Sequence, residues 1–234
     1  MRGCLGLIVL SLVMGVTAWF VLPTALDAAA TASVSGAGFN GTNTSVRIEA
    51  SPAQALSLHA DALAIHSTNA TFHELQMAAV DVTLRDIGLL DRTFASIDGT
   101  LTDVHYQQPG GWTFQASEVT VSGARVSARL DIRLSPADVR AVASSVGQAS
   151  LGAAPSQVVL SPPDRISLTL GSQTIAGRLS MDSQGGLDLV PGTRAGSSIA
   201  LLRPTAGLPL KLRSFEITAG GLDVIATIDL RSLG

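Results

Sequence analysis

Cysteine is almost missing from this chain: Cys4 is the only one. That excludes an internal disulfide framework and any zinc site built on thiolates. Aromatic residues make up only 4%, so a core has to be assembled from Val, Leu, Ile and Ala. Lysine is scarcer still, with Lys211 alone beside fourteen arginines. Charged residues reach 14%, against about a quarter in an ordinary soluble domain. Yet 46% of the chain is hydrophobic, too much for a disordered tail. With 15 basic and 18 acidic residues among 234 there is no basic surplus, which argues against nucleic acid as a partner.

The signatures of common catalytic folds are missing as well. There is no G-x-S-x-G nucleophile elbow, no phosphate-cradling P-loop and no G-x-G-x-x-G that opens a helix after a strand. His59, His66 and His73 are spaced by sevens, which would align them on a helix. Thr68, Asn69, Ala70 and Thr71 interrupt any such helix, and on a strand an odd spacing alternates faces. His73-Glu74 lacks the second histidine of a metalloprotease motif. The aspartates Asp81, Asp86, Asp91, Asp98 and Asp103 recur along one stretch, and Asp98-Gly99 reads as turn chemistry. No catalytic residue, metal ligand or cofactor is assigned.

What is present begins at the amino terminus. Arg2 is followed by eighteen uncharged residues, Leu5 to Leu22, with Trp19 and Phe20 near the far end. Two readings fit residues 1–30: a signal peptide cut near Ala28, Ala29 and Ala30, or a retained membrane anchor of minimal length. Both export the rest of the chain, because Arg2 holds its end inside. Cys4 precedes the apolar run, so it does not read as a lipidated cysteine. Residues 31–43 are small and polar, a linker by composition. Residues 44–234 form one β-rich domain.

Period-two alternation dominates that domain. Val80, Val82 and Leu84 alternate with polar residues. So do Val126, Ala128, Leu130, Ile132 and Leu134, and again Leu222, Val224, Ala226, Ile228 and Leu230. Shorter runs include Val119 and Val121, Ile166 to Leu170, Leu187 and Leu189, and Phe215 and Ile217. Such spacing puts the apolar side chains on one face of a strand and leaves the other wet, the mark of antiparallel sheet. Ser122-Gly123 and Gly220-Gly221 read as hairpin turns. One helix is signalled: Ser135 as cap, Pro136 at the first position, Asp138 in the first turn, Val139, Val142, Ala143 and Val146 on one face, and Gly147 as the stop. The segment 51–63 stays open between a short helix and an irregular strand.

Residues 118–133 (EVTVSGARVSARLDIR) are echoed by residues 216–231 (EITAGGLDVIATIDLR). The echo fits either a repeated hairpin or two hairpins built from similar residues. Arg125, Arg129 and Arg133 share one strand face, which reads as a solvated face or as a patch for phosphate oxygens.

The linear order of these features resembles the LmeA family of bacterial cell-envelope phospholipid-binding proteins. The resemblance lies in Val46-Arg47-Ile48 and Pro52, Val82-Thr83-Leu84-Arg85-Asp86-Ile87 and Ile97-Asp98-Gly99-Thr100. It continues through Ala128-Arg129-Leu130 into Ser135-Pro136-Ala137-Asp138-Val139, then Leu208-Pro209-Leu210 and Gly221-Leu222-Asp223-Val224. It spans residues 44 to 233. It departs at Ala53-Gln54-Ala55, more polar than the Leu-Leu-x-Gly pattern of the family.

The resemblance implies an elongated, barrel-like antiparallel sheet whose apolar interior takes up phospholipid, with no catalytic residues. The expected fold is mainly β (α+β), a curved antiparallel sheet or barrel with one or two short helices. The expected lipid-binding residues are Leu84, Val119, Val126, Leu130, Ile132, Ile217, Val224, Ile228 and Leu230. The expected partners are phospholipid or another acyl lipid and a membrane surface. The expected location is the cell envelope, periplasmic or on the extracytoplasmic side of the membrane. The alternative is a non-catalytic envelope interaction module with a filled core.

Overall fold

The computed structural model describes residues 39–51, 53–54, 57–72, 75–88, 93–107, 113–125, 127–192, 198–202 and 210–229. The expected signal or anchor at 1–30 lies outside them. Six strands come first: β1 (Phe39–Glu49), β2 (His59–Phe72), β3 (Leu75–Gly88), β4 (Thr93–Gln107), β5 (Thr113–Ala124) and β6 (Ser127–Leu134). Helix α1 (Pro136–Leu151) follows, then β7 (Gln157–Ser161), β8 (Arg165–Leu170), β9 (Gln173–Met181), β10 (Leu187–Pro191) and β11 (Ile199–Leu202). The last hairpin is β12 (Leu210–Thr218) and β13 (Gly221–Asp229). The protein is mainly β and antiparallel, as the alternation predicts.

The strands form two sheets. The larger has the order β1-β2-β3-β4-β5-β6-β13-β12, the smaller β11-β10-β9-β8-β7. The larger sheet is open: β1 and β12 lie at opposite edges. This corrects the barrel-like expectation. Closing eight strands needs the two edges to pair, and here β12 instead meets the loop before β10, where Leu212 N donates to Gly185 O. β1 opens at Phe39, inside the stretch whose composition reads as a linker. Its Thr and Asn side chains are used along the β2 edge, with Thr42 Oγ1 donating to Thr68 O at 2.9 Å.

Strict alternation does not run the full length of the long strands. Met77 and Val80, Leu101 and Val104, and Ala116 and Val119 all pack in one core, although each pair is three residues apart. Period two would put them on opposite faces. The phase changes along a line across the sheet, at Asn69 in β2, Ala78 in β3, Asp103 in β4 and Ser117 in β5. Asn69 and Asp103 have φ of 47°, and Asn43 in β1 has φ of 50°. Asn and Asp tolerate this left-handed region better than other side chains. β2, β3, β4 and β5 take up the change together, so each pair keeps one register on both sides of it. A second line passes through Asp61, Asp86 (φ 53°) and Ala95, and brings Leu84 and Ile87 into one cluster.

The described aspartates of the series are therefore not turn residues. Asp86 and Asp103 are mid-strand bends. Asp98-Gly99 lies within β4, paired with Thr83 and Val82. A side chain at Gly99 would sit 2.5 Å from the Asp81 carbonyl, so the glycine lets two strands approach. Asp91 lies outside the described residues. Ser122-Gly123 is likewise inside β5, opposite Arg129 and Ala128, and the chain turns after Ala124. The β12–β13 turn at Ala219-Gly220 aligns with Val121-Ser122 of the echo. The two hairpins thus turn at different points of the repeated sequence, and the echo is not a repeated hairpin.

Helix α1 starts as predicted. Ser135 and Asp138 form a reciprocal capping box, with Pro136 at the start. It runs past Gly147 and ends at Gly152 in the left-handed conformation, φ 72°. Gly147 serves contact instead: a side chain there would meet Pro155 and the Ala153 carbonyl. Val139, Val142, Ala143 and Val146 are buried over β5, β6 and β13. In the open segment 51–63, His59 begins β2 and Ser51 exchanges hydrogen bonds with Gln54 just before it.

Candidate functional site

Three transverse rows, apolar except at Ser67, cross the larger sheet. The central row runs Val46, Ile65, Val82, Gly99, Val121, Leu130, Ala226 and Leu212, one residue from each of the eight strands. One flanking row is Ile48, Leu63, Leu84, Ile97, Gly123, Ala128 and Ile228. The other is Ser67, Val80, Leu101, Val119, Ile132, Val224 and Phe215. Cross-strand neighbours lie within side-chain contact, so the rows make one aliphatic face. The glycines and alanines in it keep the strands close and the surface shallow.

Burial varies across this face, and Val46 and Ile48 of β1 and Val80 of β3 are buried. Val119, Ile132, Val224, Ile228 and Ile217 are buried, and all join the main core cluster. Leu63, Ile65, Val82, Leu84, Ile97, Leu101 and Leu130 are only half-buried. Among the expected lipid-binding residues, the structure thus gathers Val119, Leu130, Ile132, Ile217, Val224 and Ile228 around one core. Leu84 belongs to a separate cluster with Ile48, Ala60, Ile87 and Phe94. Val126 and Leu230 lie outside the described residues.

The smaller sheet and α1 cover part of this face. Between them is a slot with a free volume of about 40 Å³, walled by Val139, Val142, Ala143 and Val146 of α1, Phe114, Leu134, Leu222 and Val224 of the larger sheet, and Leu160, Leu168, Leu179, Leu187, Leu189 and Leu201 of the smaller sheet. Sequence reading missed the residues of the smaller sheet as part of any site. Their alternation was visible; which sheet they join was not.

The opposite face is polar, and two of its arginines are ion-paired. Arg129 forms a fork with Asp131, Nη2 to Oδ1 at 2.7 Å and Nε to both carboxylate oxygens at 3.0 Å. That contact raises the arginine's pKa further, through the hydrogen bond and the charge of Asp131. Arg133 lies between Glu118 at 3.6 Å and Asp223 at 3.7 Å. The pairing of Arg129 and Arg133 fits a solvated face, and Arg125 lies in the turn after β5 rather than on that strand face. His59 meets Asp86 at 2.7 Å and His66 lies 3.9 Å from Asp81, both at the surface. Among the described residues, no three His, Cys, Asp or Glu side chains converge as a metal set.

Asp138 is a buried carboxylate with three hydrogen bonds on one oxygen. Its Oδ2 accepts from Ser135 N at 2.8 Å, from Ser135 Oγ at 2.7 Å, and from Ser117 Oγ. Burial works against the charged form, but the hydrogen bonds from Ser117 and Ser135 together outweigh it and lower the pKa. These partners explain Asp138 as an anchor that ties the start of α1 to β5.

No family model, curated protein or solved structure matches the chain. No helix among the described residues is long and apolar enough to cross a membrane. The fold and the site therefore rest on the chain's own geometry: an open antiparallel sheet with one aliphatic face, part of it covered by α1 and the smaller sheet.

Proposed function

We propose that this is an exported cell-envelope protein that binds phospholipid by laying acyl chains along the aliphatic face of the larger sheet. One observation carries the reading: apolar rows cross up to eight strands, and Leu63, Ile65, Val82, Leu84, Ile97 and Leu101 on β2, β3 and β4 are only partly buried. An ordinary core strand buries such residues, and a contiguous apolar surface left open marks a binding face. Its size fits. From Met77 to Ile87, β3 advances about 35 Å, more than twice the ~15 Å of one leaflet's acyl chains. Each methylene hidden there contributes about 0.8 kcal/mol, so a dozen contribute on the order of 10 kcal/mol without any polar anchor. The resemblance to the LmeA family supports the same lipid class and the envelope location. The reading assigns no catalytic residue, metal or cofactor.

A second reading, an envelope interaction module with a filled core, draws on the narrow interior, whose free volume is only about 40 Å³. Native mass spectrometry of the exported protein, followed by organic extraction, separates the two. Lipid binding expects a mass adduct that extracts as phospholipid. A clean apo mass, with no uptake from added vesicles, overturns it in favour of the filled core.

A further inference from the structure

On the polar face, β2, β3 and β4 form a hollow beside the line where the strands change phase. Its volume is about 370 Å³, within the ~300–1,000 Å³ of small-ligand sites. The strand register sets Thr71, Gln76 and His105 side by side. Two positions along each strand are Asn69, Ala78 and Asp103, which complete the wall. Ala70, Met77 and Val104 are buried between them, so these six residues lie on the solvent side of the sheet. Ala78, on the middle strand, is the short member and leaves the hollow open. Asn69 and Asp103 flank it, both in left-handed backbone. Elsewhere on this face charged groups satisfy one another, as Arg129 and Asp131 do. Here Gln76, Asp103 and His105 have no side-chain partner among the described residues. Asn69 spends one amide proton on Thr42 Oγ1 at 3.2 Å, and Thr71 its hydroxyl proton on the Asn40 carbonyl at 3.5 Å. Those bonds steady both side chains and leave their oxygens able to accept.

We propose that this hollow binds one residue of a neutral saccharide through neighbouring ring hydroxyls. The inventory of donors and acceptors selects the ligand. Each hydroxyl of a sugar both donates and accepts. Asp103 only accepts, while the amides of Asn69 and Gln76 and the ring of His105 offer donors. The Ala78 methyl gives the C–H face of the sugar an apolar contact. Asp103 is the one carboxylate of the wall, and no lysine or arginine stands beside it among the described lining residues. A phosphate, sulfate or uronic acid would therefore meet an uncompensated like charge. An extended peptide adds to an unpaired sheet edge, and β2, β3 and β4 are paired on both sides. The hollow lies on the face opposite the aliphatic rows, so the proposal is independent of the lipid-binding reading.

The test is saturation-transfer NMR on the full chain, held in a detergent without a sugar headgroup and in EDTA, so that no cation bridges ligand and protein. The probes are neutral trisaccharides of glucose, galactose and mannose, with an oligogalacturonate as the acidic counterpart. Transfer to at least one neutral sugar is expected, and none to the oligogalacturonate. Asp103→Gly removes the carboxylate and keeps the left-handed backbone, which glycine adopts freely. Ala78→Leu fills the hollow from an exposed position. Each is expected to weaken binding by about tenfold or more, the loss of one charged hydrogen bond, with wild-type circular dichroism. If Ala78→Leu does not fold, Asp103→Gly decides. Gln184→Ala, in the turn before β10, is expected to change nothing. Silence from all three neutral sugars overturns the proposal. Equal binding of the oligogalacturonate overturns the neutral ligand class. Wild-type affinity in folded Asp103→Gly puts the sugar elsewhere and overturns the hollow.

Discussion

Single residues fix the helix and the spacing of the strands. Asp138 closes the capping box and ties α1 to Ser117. Asp138→Ala is expected to cost about 1–3 kcal/mol, the sum of a lost cap and a buried hydroxyl left without its acceptor. Denaturant unfolding measures it. The pH dependence follows from the lowered pKa. A carboxylate whose folded pKa lies below its unfolded value of about 3.9 stabilises fully above that value. The contribution is lost as pH falls through the folded pKa. The stability gap between wild type and Asp138→Asn should therefore be constant near neutrality and shrink below about pH 4. A gap that grows on acidification would assign Asp138 the opposite shift. At Gly99, a methyl group would press on the Asp81 carbonyl and the Val82 backbone at 2.5 and 2.7 Å. Gly99→Ala is expected to destabilise by about 1–3 kcal/mol, read as a lower urea midpoint.

At the scale of elements, the phase lines decide which side chains reach the core. Asp103 holds a left-handed turn of backbone inside β4, which lets both Leu101 and Val104 face inward. Glycine takes that conformation without steric cost, whereas a β-branched residue pays about 1–2 kcal/mol. Asp103→Gly is expected to stay near wild-type stability, and Asp103→Val to lose that amount in equilibrium unfolding. Equal losses in the two variants would show that the aspartate side chain, and not the backbone angle, is what the strand needs. The capping box was legible in Ser135-Pro136-Ala137-Asp138 because a cap is a local contact. The phase lines were not, because an apolar pair three apart also reads as a helix fragment or a strand break. Only the neighbouring strands, each changing phase at the same line, make it a bend in a continuous sheet.

For the molecule as a whole, the useful variants are those at partly buried positions of the face. Ile228 is buried, and an aspartate there would have to be desolvated without a partner, so Ile228→Asp is expected to lose the fold. Leu84 is half-buried in the smaller cluster, so Leu84→Asp is expected to fold, with wild-type circular dichroism, and to lose co-purifying phospholipid. Arg213→Ala, on the polar face where its Nε reaches Thr227 Oγ1, is expected to change neither. Lipid recovered equally with folded Leu84→Asp would remove this end of the rows from the binding face.

By itself the sequence determined the local rules: antiparallel strands from period-two alternation, a capped helix from Ser135 and Asp138, and an aliphatic core from the scarcity of aromatics. Each depends on contacts within a few residues, so each is written in a short window. Tertiary structure decided the rest. Aliphatic alternations look the same wherever they occur: Leu130 and Ile132 join the large sheet while Ile166 and Leu168 join the small one. Nothing within either strand specifies its partner. The open edges at β1 and β12, the cover over part of the aliphatic face and the slot beneath α1 all arise from that choice of partners, since strand pairing and layer packing join residues far apart in the chain.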